Sequence, residues 1–307
     1  MEDCLFCMIA EGKIPSKKLY EDDQVVAFYD INPQAKVHFL VVPRKHISSA
    51  AALTEEDAAL LGQTVTALNG VPMDEIFNQM AKVRYMFGGQ AKVPLVLRAP
   101  DGSAGGGAAQ HSQCVESWFA HIPGIKVVAP SNPYDAKMVL KAAIECDDPV
   151  LYFENKILYK EKGEMPELAD EEPYTIGKAK VVRPGKDVTI VSYSIGMKNA
   201  RGAADLLAKE GIEAEVIDLI TLSPWDKETV LNSVKKTHRL CIVHEAVKQG
   251  GFGAEISATV AEEAMEYLDA PILRYGAPFC PIPFAPTLEK MVKVVPEDLV
   301  KGIKGMF

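Results

Sequence analysis

The chain has 307 residues, of which 48% are hydrophobic and 24% charged, enough for two or three domains that each bury a core. Its formal net charge of −9 excludes a nucleic-acid binder that works through a basic face. No apolar run reaches the length of a membrane span, so neither nucleic acid nor membrane is an expected partner.

The acidic start, Met1-Glu2-Asp3-Cys4, is not a secretory signal. Six cysteines are scattered along the chain, and Cys4-x-x-Cys7 is their one framework-like spacing, which points to reduced thiols in a cytoplasmic protein. An apolar strand is predicted over residues 23–30 (DQVVAFYD). After a turn at Ile31-Asn32-Pro33-Gln34, a second is predicted over 37–42, bracketed by Pro33 and Pro43 as at strand edges. Thr54-x-x-Asp57 opens a helix from Glu55 to about Leu68, with Leu60, Leu61, Val65 and Leu68 on one side, and Asn69-Gly70 with Pro72 stops it.

Composition changes after Gly70. Met73, Ile76, Phe77, Met80, Val83 and Phe87 follow helical spacing as far as Gly88-Gly89. Strands then alternate with helices: a strand over 93–98, a glycine-rich loop with a helix through about Phe119, a strand over 126–130, a helix over 133–145 and a strand over 150–154. Such alternation predicts a mostly parallel sheet covered by helices. Residues 156–186, rich in Lys, Glu, Pro and Gly, read as a linker. A second α/β block begins at Asp187, with strands over 188–193, 214–219, 240–244 and 272–275 and helices near 197–209, 227–236 and 253–267.

The stretch with chemistry in it is DGSAGGGAAQHSQC, where a glycine-rich turn delivers His111 to the start of an amphipathic segment. Imidazole titrates near neutrality and serves either direction of proton transfer. Gly105-Gly106-Gly107 lacks the phosphate-loop lysine, and a dinucleotide pattern fails at Gln110, so backbone freedom beside a bound group accounts better for the glycines. Gly250-Gly251-Phe252-Gly253 fails the same pattern and packs a helix start. His121 reads as structural, and Cys114 as a small buried hydrophobe rather than a reactive thiol.

Two resemblances cover the chain. CLFCMIAEGKIPSKKLYEDDQVVAFYDINPQAKVHFLVVPRKHI with LTEEDAALLG resembles the first half of a histidine-triad (HIT) protein over about 65 residues. The alternating histidines of that family, which share one face of a strand, are absent: the six histidines stand at 38, 46, 111, 121, 238 and 244. Some HIT members bind zinc through the equivalents of Cys4, Cys7 and His46 and a later histidine. Three of the four ligands of a structural site remain, and zinc is not expected to stay bound. Asp30 and Ile31 match ribose-pocket positions, but without the second half no useful nucleotide affinity is expected.

From about Gly70 onward, PMDEIFNQMAKVRYMFGGQAKVPLVLRAP, GGGAAQHSQCVESWFAHIPGIKVVAPSNPYDAKMVLKAAI, DPVLYFENKILY, GIEAEVIDLITLSPWD and GGFGAEIS resemble the beta subunits of thiamine-diphosphate-dependent 2-oxo acid and acetoin dehydrogenases. The resemblance implies an α/β fold. A partial HIT-like α+β segment (1–69) precedes a truncated thiamine-diphosphate pyrimidine-type domain (70–155), a linker (156–186) and a transketolase C-terminal-like α/β domain (187–307). It implies an α2β2 assembly in which the alpha subunit holds the diphosphate through Mg2+ and the beta subunit holds the aminopyrimidine of thiamine diphosphate. The acyl group passes to lipoamide on an acyltransferase component. His111 matches the active-site histidine of the family. Leu95, Ala143, Ile144, Cys146 and Asp148 match a potassium site built from backbone carbonyls, with Cys146 in place of the usual acidic residue. Glu245, after His244, falls at an interface or loop position.

Roughly 70 residues of the family lie upstream of Met73 and are replaced here by the HIT-like half. They carry the glutamate that activates the cofactor and an aromatic that stacks on its ring. The aligned aromatic position holds Leu68, and nothing around Glu55 or Glu56 matches the glutamate's motif. The expected function is therefore an acetoin or pyruvate dehydrogenase beta subunit, a chimera with activity impaired by the missing part. A HIT-type nucleotide hydrolase and a non-catalytic assembly module are the alternatives. An unfilled sheet edge and an exposed apolar helix face are expected where the upstream strands are lost, unless the HIT-like strands cover them.

Overall fold

Three antiparallel strands, β1 (Lys18–Glu21), β2 (Val25–Tyr29) and β3 (Phe39–Pro43), form the sheet of the first of two units, Met1–Lys82. The computed structural model describes residues 4–30, 39–47, 73–103, 105–165, 167 and 172–307. The predicted helix over 55–68, with Glu55, Glu56 and Leu68, lies outside the described residues, as do His38 and Ile31. Within the unit, helix α1 (Leu5–Ala10) lays Ile9 and Ala10 against Val26 and Phe28, and Leu40 and Val42 of β3 pack on that cluster. The central strand β2 is near-continuously apolar because it is paired on both sides and buried. Strand β1 was missed because Lys18 and Glu21 give it a polar face. Residues Glu75–Met80 form a π-helical turn.

The second unit, Val83–Phe307, carries two sheets. After the short helix α2 (Val83–Met86), Gly88 and Gly89 adopt φ of +60° and +82°, the left-handed conformation that stops the helix. The first sheet holds β4 (Val96–Asp101), β5 (Lys126–Val128) and β6 (Val150–Asn155), all parallel. Strand β4 starts three residues later than predicted. Pro94 has no N–H to give a ladder, and Leu95 N–H turns back to the carbonyl of Val93. Between β5 and β6 runs α4 (Pro133–Glu145), which starts and ends where the sequence predicts. Asn132 caps it by accepting from Asp135 N–H at 2.9 Å, and Pro133 occupies the first turn. The other helix, α3 (Glu116–Ala120), is much shorter than expected.

The second sheet is ordered β12-β11-β8-β9-β7, from β7 (Lys180–Arg183), β8 (Val188–Ser192), β9 (Ala214–Asp218), β11 (Leu240–Val247) and β12 (Leu273–Ala277). All neighbours are parallel except the edge pair β7 and β9. Strand β7 comes from the stretch whose Lys, Pro and Gly content reads as a linker. Helix α5 (Gly196–Ala208) buries Ala200, Ala203, Ala204 and Leu207, one face at helical spacing, on β8 and β9. Helices α6 (Lys227–Thr237) and α7 (Gly253–Glu263) complete the predicted set. Two more, α8 (Pro286–Met291) and α9 (Pro296–Lys304), were not foreseen, and α9 adds Leu299 and Ile303 to the same core.

The two sheets interlock through β10 (Thr221–Ser223), which leaves the C-terminal block and pairs antiparallel with β5. The first sheet is thus ordered β10-β5-β6-β4, and β4 ends it among the described residues. Tyr85, Met86 and Phe87 of the first turns are exposed. Among the described residues no helix is long and apolar enough to cross a membrane.

Candidate active site

Strand β4 runs out at Asp101 into the glycine loop. Gly102, Gly105 and Gly106 take φ of +73°, +69° and +95°, and Ala108 follows at +53°. This left-handed backbone reverses the chain at little steric cost for glycine. His111 lies exposed in the turn that follows, five residues before α3 rather than at the start of a helix. The segment between has no regular secondary structure, and the carbonyl of Gln113 accepts from Gly102 N–H at 3.0 Å, closing the loop at its base.

Two glutamates of the C-terminal block hold this loop. Glu245 on β11 accepts from the N–H and the hydroxyl of Ser103 at 3.1 and 2.7 Å and from Asn155 Nδ2 at 2.6 Å. Its other neighbour is the thiol of Cys114 at 3.7 Å. Glu289 on α8 accepts from Gly106 N–H at 2.9 Å, and Lys293 pairs with it at 2.7 Å. The Lys293 bond, ahead of the loop amides, lowers the pKa of Glu289, so it stays charged. Gly102 leaves no room for a side chain, because a Cβ there would lie 2.2 Å from Asn155 Nδ2 and 2.4 Å from Glu245 Oε2. Sequence reasoning put Glu245 at an interface or loop position, and no sequence signal marked Glu289.

Beneath the loop, Asp101, Glu116 and Cys114 gather beside Glu245. Burial raises the pKa of Asp101 well above the carboxylate range, with Glu116 and then Glu245 adding like charge. Burial also raises Glu116, against the hydrogen bond donated at 2.6 Å by Tyr193 Oη to Glu116 Oε1. Tyr193 stacks on His244 at 6.1 Å between ring centroids. His244 is buried and its pKa is pushed down to about 4, chiefly by desolvation. Gly251 and Gly253 make way for its ring, since Cβ atoms there would come within 2.5 and 2.9 Å of it. The glycine run at 250–253 therefore packs a helix start, as its sequence suggested. A cavity of about 1040 Å³ opens beside these groups, lined among others by Gln110, Cys114, Trp118, Lys198 and Glu245.

Leu95, Ala143, Ile144, Cys146 and Asp148 gather around the turn between α4 and β6. The carbonyl of Leu95 accepts from Val150 N–H at 2.9 Å and that of Ala143 from Cys146 N–H at 3.3 Å. The Cys146 sulfur faces Lys126 Nζ at 3.1 Å, and the Asp148 carboxylate pairs with Lys126 at 3.0 Å and Arg84 at 2.6 Å. In the first unit, one ligand atom each of Cys4, Cys7 and His46 lie within 4.8 Å of one another, with Cys7 Sγ and His46 Nδ1 3.2 Å apart.

Three family models match. Residues 3–92 match the scavenger mRNA decapping enzyme C-term binding model, which takes in the HIT-like segment and runs beyond it; residues 51–162 match the transketolase pyrimidine binding domain, and residues 177–299 the transketolase C-terminal domain. Pyruvate dehydrogenase E1 component subunit beta-2 of Oryza sativa, a mitochondrial protein, is 47% identical over 234 residues, 76% of this chain and 62% of that protein. The beta subunit of acetoin:2,6-dichlorophenolindophenol oxidoreductase from Cupriavidus necator is 52% identical over 222 residues, 72% of this chain and 65% of that protein. The pyruvate dehydrogenase E1 beta subunit of Rickettsia felis is 46% identical over 231 residues, covering 75% of this chain and 70% of that protein. The chain thus spans a little under two-thirds of the first two relatives. A solved structure titled "Split gene transketolase, inactive beta4 tetramer" shares the fold, with a TM-score of 0.62 at 24% identity over 79% of this chain and 73% of that one.

Proposed function

This chain belongs to the family of pyruvate dehydrogenase E1 and acetoin oxidoreductase beta subunits, and we propose that it supplies the beta-subunit half of a thiamine-diphosphate-dependent acetoin or pyruvate dehydrogenase. The observation that carries this reading is His111 exposed beyond a glycine loop that Glu245 and Glu289 hold from beneath. The residues present fit one wall of a cofactor site. A Cβ at Gly105 would meet no atom within 4 Å and one at Gly106 only the Phe284 ring at 3.8 Å, so the loop presents bare main chain to open space. Thiamine diphosphate, when bound, stabilises a carbanion at the substrate's former carbonyl carbon. The chain's own part is to let a planar ring approach the loop backbone and to give or take a proton at the His111 imidazole.

An alpha subunit would hold the Mg2+ and the diphosphate, and a lipoyl-bearing acyltransferase would receive the acyl group. Potassium would sit on the main-chain carbonyls of Leu95, Ala143, Ile144, Cys146 and Asp148. The side chains of Cys146 and Asp148 are already engaged by Lys126. Cys4, Cys7 and His46 fall one ligand short of a closed structural zinc site, so a zinc ion there would keep water in its fourth position. Loss of the family's activating glutamate lowers turnover by orders of magnitude, and the second reading is an assembly module that pairs without turnover.

The test is acyl transfer to lipoamide by this chain bound to an alpha subunit, with His111→Gln alongside. A loss of about 100-fold or more in kcat with an unchanged cofactor Kd is expected. Turnover unaffected by the substitution sinks the catalytic assignment.

A further inference from the structure

The acidic groups beneath the glycine loop have no cation in direct contact among the described residues, and Lys156 acts on Asp101 only through its charge at a distance. Asp101 and Glu116 are only 5% and 2% exposed, and one ligand atom each of Asp101, Cys114 and Glu116 lie within 4.8 Å of one another. Asp101 Oδ1 and Glu116 Oε2 are buried with no hydrogen-bond partner, and no Lys or Arg pairs with either acid among the described residues. Glu245, bonded to Ser103 and Asn155, adds a third carboxylate alongside. Buried carboxylate oxygens without donors are costly, and they call for a proton or a cation.

We propose that Asp101, Cys114 and Glu116 form a binding site for one divalent cation of the zinc type. A thiolate with two carboxylates suits a borderline-soft divalent ion, whereas magnesium and calcium take oxygen sets. The surroundings complete the set. Tyr193 Oη orients Glu116 through its other oxygen, at 2.6 Å from Oε1, in the manner of a group that fixes a ligand from behind. The cavity that Cys114 and Glu245 help to line gives the ion a way in and room for water in a fourth position. Bonds of about 2.0–2.3 Å would draw the three ligand atoms together by about 1 Å. On binding, the Cys114 S–H bond breaks, a sulfur–metal bond forms and the proton leaves to buffer; nothing is oxidised or reduced. The ion would tie the end of β4 to the segment after His111 and to the start of α3, and so fix the loop's base.

The experiment uses the full chain carrying Cys4→Ser and Cys7→Ser, which removes the N-terminal thiols, stripped by chelator and titrated with Zn2+ and Co2+. One equivalent of Zn2+ should bind with release of at least one proton, read by calorimetry in buffers of different ionisation enthalpy. Co2+ should show a thiolate-to-metal absorption band. Cys114→Ser should abolish the band, and Asp101→Asn and Glu116→Gln should each weaken binding by about tenfold or more. The two amide variants keep shape and remove charge, so in chelator they should melt no lower than the parent, which separates lost ligation from failed folding. Absence of stoichiometric binding, binding indifferent to all three substitutions, or a cobalt complex without a thiolate band would each overturn the proposal.

Discussion

Gly102→Ala and Gly105→Ala make the same chemical change in one loop at nearly the same backbone angles, φ of +73° and +69°. The left-handed conformation costs a residue with a Cβ about 1–2 kcal/mol, and both variants bear that. Their surroundings differ. At Gly105 the new methyl meets nothing within 4 Å, whereas at Gly102 it lies 2.2 Å from Asn155 Nδ2 and 2.4 Å from Glu245 Oε2. Both atoms are ends of the 2.6 Å bond that holds Glu245 in place, and Asn155 is 3% exposed. Displacing a buried hydrogen bond to a charged group costs a further ~1.5–3 kcal/mol. We expect about 1–2 kcal/mol for Gly105→Ala and about 2.5–5 kcal/mol for Gly102→Ala, measured by urea unfolding with the slope unchanged. The amide of Ser103 should also lose hydrogen-exchange protection in Gly102→Ala alone. Equal losses in the two variants would refute the view that the loop is held from beneath by Glu245 and would leave only backbone strain.

Two buried groups titrate in overlapping windows with opposite signs. Burial raises the pKa of Asp218 from 3.8 to about 7, so stability falls as pH rises from about 4 to 7, by up to ~4 kcal/mol. Asp218→Asn should remove that fall in a pH series of unfolding curves, and a profile parallel to the parent's would contradict it. His244, lowered from 6.5 to about 4, costs stability as pH falls through the same range, by up to ~3 kcal/mol. His244→Asn should therefore flatten the acid limb, and an unchanged acid limb would mean that His244 is not buried neutral. Potassium in place of sodium should raise the melting temperature, since a tenfold excess over Kd adds about 1.4 kcal/mol. Identical midpoints in the two salts would count against the carbonyl site at Leu95, Ala143, Ile144, Cys146 and Asp148.

The α/β alternation was legible because its strands are long apolar runs and its helices carry clear stops; α4, with Asn132-Pro133 in front, agreed to the residue. Short elements were not. Strand β10 is three residues long, and pairing with β5 is a tertiary fact. Helices α8 and α9 begin on prolines and are short, and the helical spacing of Leu299, Ile303 and Met306, along α9 and just past its end, was a signal that sequence reasoning passed over. Strand β7 hid in lysines and prolines because an edge strand keeps one side in water. At the site, the glycine loop and His111 stood out by residue type. The groups beneath them did not, since Asp101, Glu116, Glu245 and Glu289 are spread over nearly 190 positions and only folding brings their charges to one loop. Cys114, expected as a small buried hydrophobe, instead stands half-buried at the cavity wall among three carboxylates, which raise its pKa beyond what burial does.

The most direct test of the central claim is calorimetric titration of thiamine diphosphate with Mg2+ into this chain co-purified with an alpha subunit of an acetoin or pyruvate dehydrogenase. The account predicts a stable complex that binds the cofactor at micromolar strength. A complex that forms but binds no cofactor would contradict the proposed half-site and leave an assembly module in its place.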